Sequence, residues 1–325
     1  MKKWMKITAA MMTLTMVMTG CGGGASDSAD DAAEKYTVGI VQQLEHPALD
    51  AASLGFQEKL TELLDGNVVF DYQNAQGEQT NCTTIATKFV SDGVDLIMAN
   101  ATTALQSAAA ATADIPIVGT SVTDYVTAGV VDSNEAPGRN VTGASDLAPI
   151  DQQIAMLMEL VPDVQKVGIV YCSAEPNSIY QSKLAQAELD AAGVAWAEYT
   201  AADSNEVQAV VTKAVSECDV LYVPTDNTMA NNTEIIKNVA VPAGVPVIAG
   251  EEGICSGCGV ATLSISYYDL GVKAAEMAYE ILVNGANPAE MPIEYVSEGI
   301  TEKYNAEIAE TLNIAIPEGM VAIGE

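Results

Sequence analysis

The residues able to do chemistry in this chain are mostly carboxylates, hydroxyls and amides, with a single histidine, His46, far in sequence from the one closely spaced cysteine pair, Cys255 and Cys258. Cys255-Ser256-Gly257-Cys258 has the spacing of a redox pair or of half a zinc site. No second such pair exists to complete a zinc site, so a local disulfide or two inert thiols are the readings left for it. Cys82, Cys172 and Cys218 are scattered singly, and an odd number of cysteines beyond Cys21 cannot all pair internally. Cys172 reads as a buried spacer, with a redox-sensitive gate as the alternative. His46 is accompanied by no Gly-x-Ser-x-Gly elbow, phosphate-binding glycine loop or metal-ligand cluster. The chain is therefore expected to be no enzyme, with no catalytic residue, no metal and no cofactor. His46, preceding Pro47, suits the wall of a cleft or stacking on a ring.

Short apolar runs alternating with longer amphipathic segments must position these residues. Strands are expected at Tyr36 to Val41, Asn67 to Gln73, Asp95 to Met98 and Ile115 to Gly119, with helices at Pro47 to Leu64, Thr80 to Ser91 and Thr102 to Ala111. After an irregular stretch containing Pro137-Gly138-Arg139-Asn140 the pattern restarts. Helices are expected at Ile150 to Leu160, Ser178 to Ala192, Ser204 to Glu217 and Met229 to Val239. Strands are expected at Lys166 to Tyr171, Ala195 to Tyr199, Val220 to Val223 and Pro246 to Ile248. Two such βα sets predict two similar α/β lobes, each a parallel sheet with helices on both faces. The helix Tyr267 to Val283 and the extended piece Pro292 to Ser297 are left over, which implies that the chain crosses back toward the first lobe. The expected organisation is an N-terminal lobe over 36–147, completed by part of 265–325, and a C-terminal lobe over 148–264. Residues 265–325 hold the crossover helix and the C-terminal elements. Repeated crossing makes a hinge with a cleft between lobes.

In open parallel sheets a ligand lies beyond the carboxyl ends of the strands. The residues found there are Gln42 to Pro47, Thr120 to Asp124, Cys172 to Ser178, Pro224 to Asn227, and Glu251 with Glu252. None is a lysine or arginine, so the ligand should bring its own positive group. An α-amino acid fits: its carboxylate would rest on the helix amides opening at Asn177 and Ser178, and Asp226, Asp146 or Glu251 would receive the ammonium. Helix capping is the alternative reading of each loop, since Ser, Thr, Asp and Asn are also the capping residues. On the cleft reading, Asp226→Ala and Asn177→Ala each weaken binding without unfolding the protein.

The first twenty residues read as an export signal: Lys2 and Lys3, an apolar run from Ile7 to Met18 too short to span a membrane, and small residues before Cys21. Cys21 resembles the cysteine of a bacterial lipobox, which implies its lipidation and anchoring at the outer face of the cell membrane. Met18 stands where leucine is more usual, and an ordinary secretory signal is the alternative. Residues 21–35 are expected to be a disordered tether. The net charge of −31 becomes −34 once Lys2, Lys3 and Lys6 leave with residues 1–20. Such a surface repels phosphate backbones and anionic headgroups, so nucleic acid is excluded as a partner and membrane attachment falls to the lipid.

Several segments, taken in order, resemble one family. They are His46-Pro47-Ala48-Leu49-Asp50 with Gly55-Phe56, Pro137 to Asp146, and Glu175-Pro176-Asn177-Ser178. Pro224-Thr225-Asp226-Asn227, Tyr267-Tyr268-Asp269-Leu270-Gly271 and Leu312 to Pro317 follow. The chain resembles, from about Tyr36 to Pro317, the ABC-transporter substrate-binding lipoproteins of the tryptophan/tyrosine type. The resemblance implies a two-lobed periplasmic-binding-protein fold of type I with three crossovers, acting as a monomer that closes on a small solute and delivers it to a permease with a cytoplasmic ATPase. Asn177 and Ser178 look like the carboxylate-binding helix start, Asp226 and Asn227 like the pair facing the ligand's polar end, and Asp146 lies at the first crossover. Selectivity is expected from Gln42, His46, Thr102, Thr123 and Tyr267, with Ser173, Thr225 and Glu251 completing the expected ligand-binding set. Pro176 replaces a more usual alanine and removes one amide donor. The expected ligand is an amino acid, an aromatic one first. A sugar or nucleoside, a sensor role toward a membrane kinase, and a hydrolase on the same fold are the alternatives.

Overall fold

The structure, a computed structural model, describes residues 35–296 and 300–324. The expected signal segment 1–20, Cys21 and nearly all of the tether lie outside the described residues. From Tyr36 the chain lays down β1 (Tyr36–Gln42), α1 (Pro47–Leu63), β2 (Val68–Asn74), α2 (Gln79–Asp92), β3 (Leu96–Asn100), α3 (Thr102–Ala111), β4 (Ile117–Val122) and β5 (Val141–Ser145). The strands pair in parallel in the order β2-β1-β3-β4-β5. Side chains alternate between faces, as the pleat dictates. Leu96 and Met98 join Val38 and Ile40 against Phe56 and Leu60 of α1, while Ile97 and Ala99 join Val41 against Phe89 of α2 and Leu105 of α3. Both faces are apolar and both carry helices, which explains the runs of consecutive hydrophobic residues in these strands.

The second sheet repeats the arrangement. Its elements are α4 (Ile150–Leu160), β6 (Lys166–Cys172), α5 (Pro176–Ala192), β7 (Ala195–Ala201), α6 (Val207–Val215), β8 (Val220–Val223), α7 (Asn227–Ala230), α8 (Thr233–Ala243), β9 (Val247–Ala249), α9 (Glu252–Cys258) and β10 (Ala261–Ser264). The strand order β7-β6-β8-β9-β10 is the spatial order of the first lobe. Val167 and Ile169 pack with Ile154 and Leu157 of α4, and Val170 and Cys172 pack on the other face with Val211 of α6 and Ile236 of α8.

The remaining elements are α10 (Tyr267–Asn284), β11 (Glu294–Tyr295), β12 (Thr301–Tyr304), α11 (Ala306–Leu312) and β13 (Val321–Ala322). β11 adds to the first sheet beside β5, whereas β12 lies antiparallel to β10 in the second sheet and carries β13 on its other side. The chain therefore passes between lobes three times: after β5, after β10 and after β11. α10 packs along α1 in the first lobe. A Cβ at Gly55 would meet the Tyr268 carbonyl and one at Gly271 the Ala52 carbonyl, so the two backbones approach as closely as they do only because both positions are glycine. This contact fixes Tyr267, the first residue of α10, at the hinge.

Some elements differ from the sequence expectation. The helix expected over Met229 to Val239 is two helices, α7 and α8, separated at Asn231 and Asn232, where Asn232 Nδ2 donates to the Thr228 carbonyl at 2.7 Å. β5, α9, β10 and β12 lie in stretches that carry no clear periodicity. They are seven residues long or shorter and too brief to register as a pattern. Cys255 and Cys258 are free thiols on α9, and Cys82, Cys172 and Cys218 are likewise free and buried. Burial raises the Cys82 thiol to about 11, so it stays protonated at neutral pH.

Candidate functional site

A tight cavity lies between the lobes. Each polar wall residue except Ser121 follows a parallel strand or opens a helix. From the first lobe come Ser121 in β4, Thr123 just beyond it, Asp146 after β5 and His46 at the start of α1. The second lobe contributes Asn177 in the first turn of α5, Thr225 and Asp226 after β8, Asn227 in α7 and Glu251 after β9. Tyr267 of α10 and the apolar side chains of Ala48, Leu49, Ala230 and Ile254 complete the lining.

Three carboxylates are buried around this space. Asp146 accepts from Thr123 Oγ1 and from the Tyr267 hydroxyl, both at 3.0 Å. Burial raises its pKa to about 6, although both hydrogen bonds act in the opposite direction. Asp226 accepts from the Met229 amide at 2.7 Å, capping α7, and from the Cys172 amide at 2.6 Å, holding the end of β6. Burial and the neighbouring Glu175 push it up to about 8. Glu251 caps α9 through the amides of Gly253 and Ile254, and its Oε1 lies 3.6 Å from His46 Nε2. Burial raises Glu251 as well, with His46 opposing the rise. No lysine or arginine lines the cavity. The site is thus an acidic pocket in which His46 is the one lining residue able to carry a positive charge.

Two contacts tie the lobes together across it. One is the His46–Glu251 pair. The other runs through Gln181 of α5, whose Nε2 donates to Thr123 Oγ1 of the first lobe at 3.2 Å and to the Thr225 carbonyl at 3.1 Å, while its Oε1 accepts from the Thr225 amide at 3.2 Å. The wall also holds a strained residue. Ser121 has φ of 56°, in the left-handed region that non-glycine residues rarely adopt, and its buried hydroxyl meets no partner. A buried hydroxyl held unsatisfied beside a cavity is a polar group waiting for a ligand atom. Among the described residues no group of three or more His, Cys, Asp or Glu could hold a metal ion.

Comparison with known proteins agrees with a binding role. The profile of the family described as ABC transporter substrate binding protein matches residues 37–324. This chain belongs to that family. It is 38% identical over 306 residues to a tyrosine-binding protein of Clostridioides difficile, covering 91% of this chain and 88% of that one. A Streptococcus pneumoniae domain solved in complex with L-Trp superposes with a TM-score of 0.85 at 32% identity, over 89% of this chain and all of that one. A ligand-free, open substrate-binding protein with adhesive properties from Clostridium difficile gives 0.69 at 37% identity, over 89% of this chain and 99% of that one. The fold is the two-lobed one of periplasmic binding proteins, and the chain is the substrate-binding component of an ABC transporter.

Of the residues singled out from the sequence, the fold of this binding protein brings His46, Thr123, Asp146, Asn177, Thr225, Asp226, Asn227, Glu251 and Tyr267 to the cavity. Four others lie outside its lining. Gln42 is buried at the end of β1, donating to the Leu44 carbonyl and Asp50 Oδ1 and accepting from Ser53, so its amide is spent on tying β1 to α1. Thr102 is buried at the start of α3. Ser173 is exposed and donates to the Ala201 carbonyl at 3.3 Å, and Ser178 accepts from Asn177 Nδ2 behind the wall. Gln181 lies outside every loop singled out from the sequence, while Ser121 and Glu175 lie within such loops but were not picked out as binding residues. Glu175 accepts from the amides of Asn227 and Thr228 and from both their side chains, so it fastens α7 to α5. Its place before Pro176 at a helix start was legible, but its partners, about fifty residues on, were not.

Proposed function

We propose that this substrate-binding protein takes an amino acid with an aromatic side chain as a zwitterion between its lobes. The single observation that carries the reading is the set of three buried carboxylates, Asp146, Asp226 and Glu251, around a cavity without lysine or arginine. A ligand ammonium offsets that charge where water cannot. The ligand carboxylate has the Ser121 hydroxyl, the Asn177 side chain and the first amides of α5 to meet. Its aromatic side chain has His46, Tyr267, Leu49 and Ile254 as walls. The tyrosine-binding relative and the L-Trp complex support the aromatic class.

Closure of the hinge is the working motion. The Gln181–Thr123 and His46–Glu251 contacts join the lobes only when they meet, so a ligand that bridges the same walls shifts the balance toward the closed form. A closer superposition on the L-Trp complex than on the open relative, despite slightly lower identity, supports a closed arrangement here. The closed form then engages the permease and its ATPase as a monomer tethered outside the cell membrane through lipidated Cys21. Titration calorimetry of residues 26–325 with aromatic, aliphatic and acidic amino acids, and with sugars and nucleosides, tests the ligand class. Selective heat from L-tyrosine, L-tryptophan or L-phenylalanine is expected, and binding of a sugar or nucleoside with silence from every amino acid would overturn the reading.

A further inference from the structure

A second and roomier cavity, of about 570 Å³, lies against the first and shares His46, Ala48, Ala230, Glu251 and Tyr267 with it. Its far wall is polar: Lys303 and Glu252 pair at 2.6 Å, and Thr233 and Ser256 stand nearby. The imidazole of His46 belongs to the partition between the two spaces and is held there by three separate restraints. Nδ1 accepts the Ala48 amide at 3.3 Å, which caps α1 and leaves Nε2 to face Glu251. Nε2 stands 3.6 Å from Glu251 Oε1. The ring edge rests on Gly253, where a Cβ would come within 2.6 Å of Cε1 and 2.7 Å of Nε2. A ring fixed by a cap, a carboxylate and a missing side chain is a rigid divider and not a mobile gate.

We propose that His46 is the specificity-determining residue for ligand length: it confines the ligand to the inner cavity and excludes molecules extended by a further residue or a large ring substituent. The inference rests on the amino acid reading above. Shortening the side chain joins the inner cavity to the outer one, whose ammonium, carboxylate and hydroxyls suit the polar groups of a peptide extension.

The test is titration calorimetry of the full-length protein with free L-tyrosine, the dipeptides Tyr-Gly and Gly-Tyr, and O-benzyl-L-tyrosine, which extend the ligand in three directions. His46→Asn keeps a capping oxygen at the start of α1 while removing the ring. Gly253→Ala leaves His46 in place but pushes the ring from its seat. In each variant, the dissociation constant of at least one extended ligand relative to free L-tyrosine is expected to fall at least tenfold from its wild-type ratio. Gly253→Ala alone suffices should His46→Asn fail to fold. Ratios unchanged within twofold in a folded variant that still binds free L-tyrosine would overturn the role of His46. Wild-type protein that binds no free amino acid would overturn the amino acid reading and this inference with it.

Discussion

Replacing Asp226 by alanine should cost stability as well as affinity. The carboxylate caps α7 through the Met229 amide and anchors the end of β6 through the Cys172 amide, and it is almost wholly buried. Alanine leaves two N–H groups without their acceptor in a place water does not reach, at about 1–3 kcal/mol each, of which the lost cap is a part. Against this stands relief from burying an acid whose pKa is already raised to about 8. The net expectation is a destabilisation of about 2–4 kcal/mol at neutral pH, with Asp226→Asn costing about half, because one side-chain oxygen still serves one amide. Urea unfolding of the ligand-free protein, followed by far-ultraviolet circular dichroism, measures it. Titration calorimetry of the asparagine variant then isolates the lost charge, with affinity for an aromatic amino acid expected to fall about tenfold or more. From sequence, Asp226→Ala reads as a binding variant that folds normally. An alanine variant as stable as wild type within about 0.5 kcal/mol would refute the capping argument.

Other consequences are as direct. Asp146, with its pKa raised to about 6, holds a proton in the folded state that the unfolded chain has already released between about pH 4 and 6, so ligand-free stability falls as pH rises through that window, by about 3 kcal/mol for this group. Asp226 and Glu251 are raised too and act in the same sense, extending the fall toward pH 8; a urea midpoint at pH 8 equal to or above that at pH 5 would contradict it. A cationic ligand group favours the ionised carboxylates, so affinity should rise over the same pH range, as calorimetry at pH 5 and pH 8 would register. Ser121→Gly should relieve the left-handed backbone and raise stability by up to about 1 kcal/mol while weakening ligand binding, a divergence visible by comparing melting shifts with and without ligand. Gly271→Ala should loosen the contact of α10 with α1 and destabilise the protein by about 2 kcal/mol or more, seen as a lowered urea midpoint.

How far the sequence reached depended on how local each cause was. β1, α1, α3 and α4 were legible because their apolar spacing is sustained, and α1 also carries Pro47 at its first position. The short strands β5 and β10 were not, since Val141–Ser145 and Ala261–Ser264 are five and four residues long, too brief for an apolar period to show. The position rule for parallel sheets brought Asp226 and Glu251 to the cavity wall without any knowledge of side-chain direction, whereas Asp146 follows β5, a strand that the sequence did not reveal. The same rule placed Gln42 there too, although its amide turns toward α1, and a side chain's aim is set by packing that no spacing records. Gln181 stayed hidden in the middle of a helix, where a buried glutamine looks like any other polar position. Ser121 fell in the loop Thr120 to Asp124 but did not stand out there, because its backbone conformation, not its residue type, makes it unusual.

Crystallography of the protein grown with L-tyrosine tests the central claim most directly. The account predicts the amino acid between the lobes, its ammonium against Asp146, Asp226 or Glu251, its carboxylate within hydrogen-bond reach of Ser121 or the start of α5, and its ring beside His46 and Tyr267. An interlobe cavity that stays free of the amino acid at saturating concentration, or a ligand whose ammonium meets none of the three carboxylates, would contradict it.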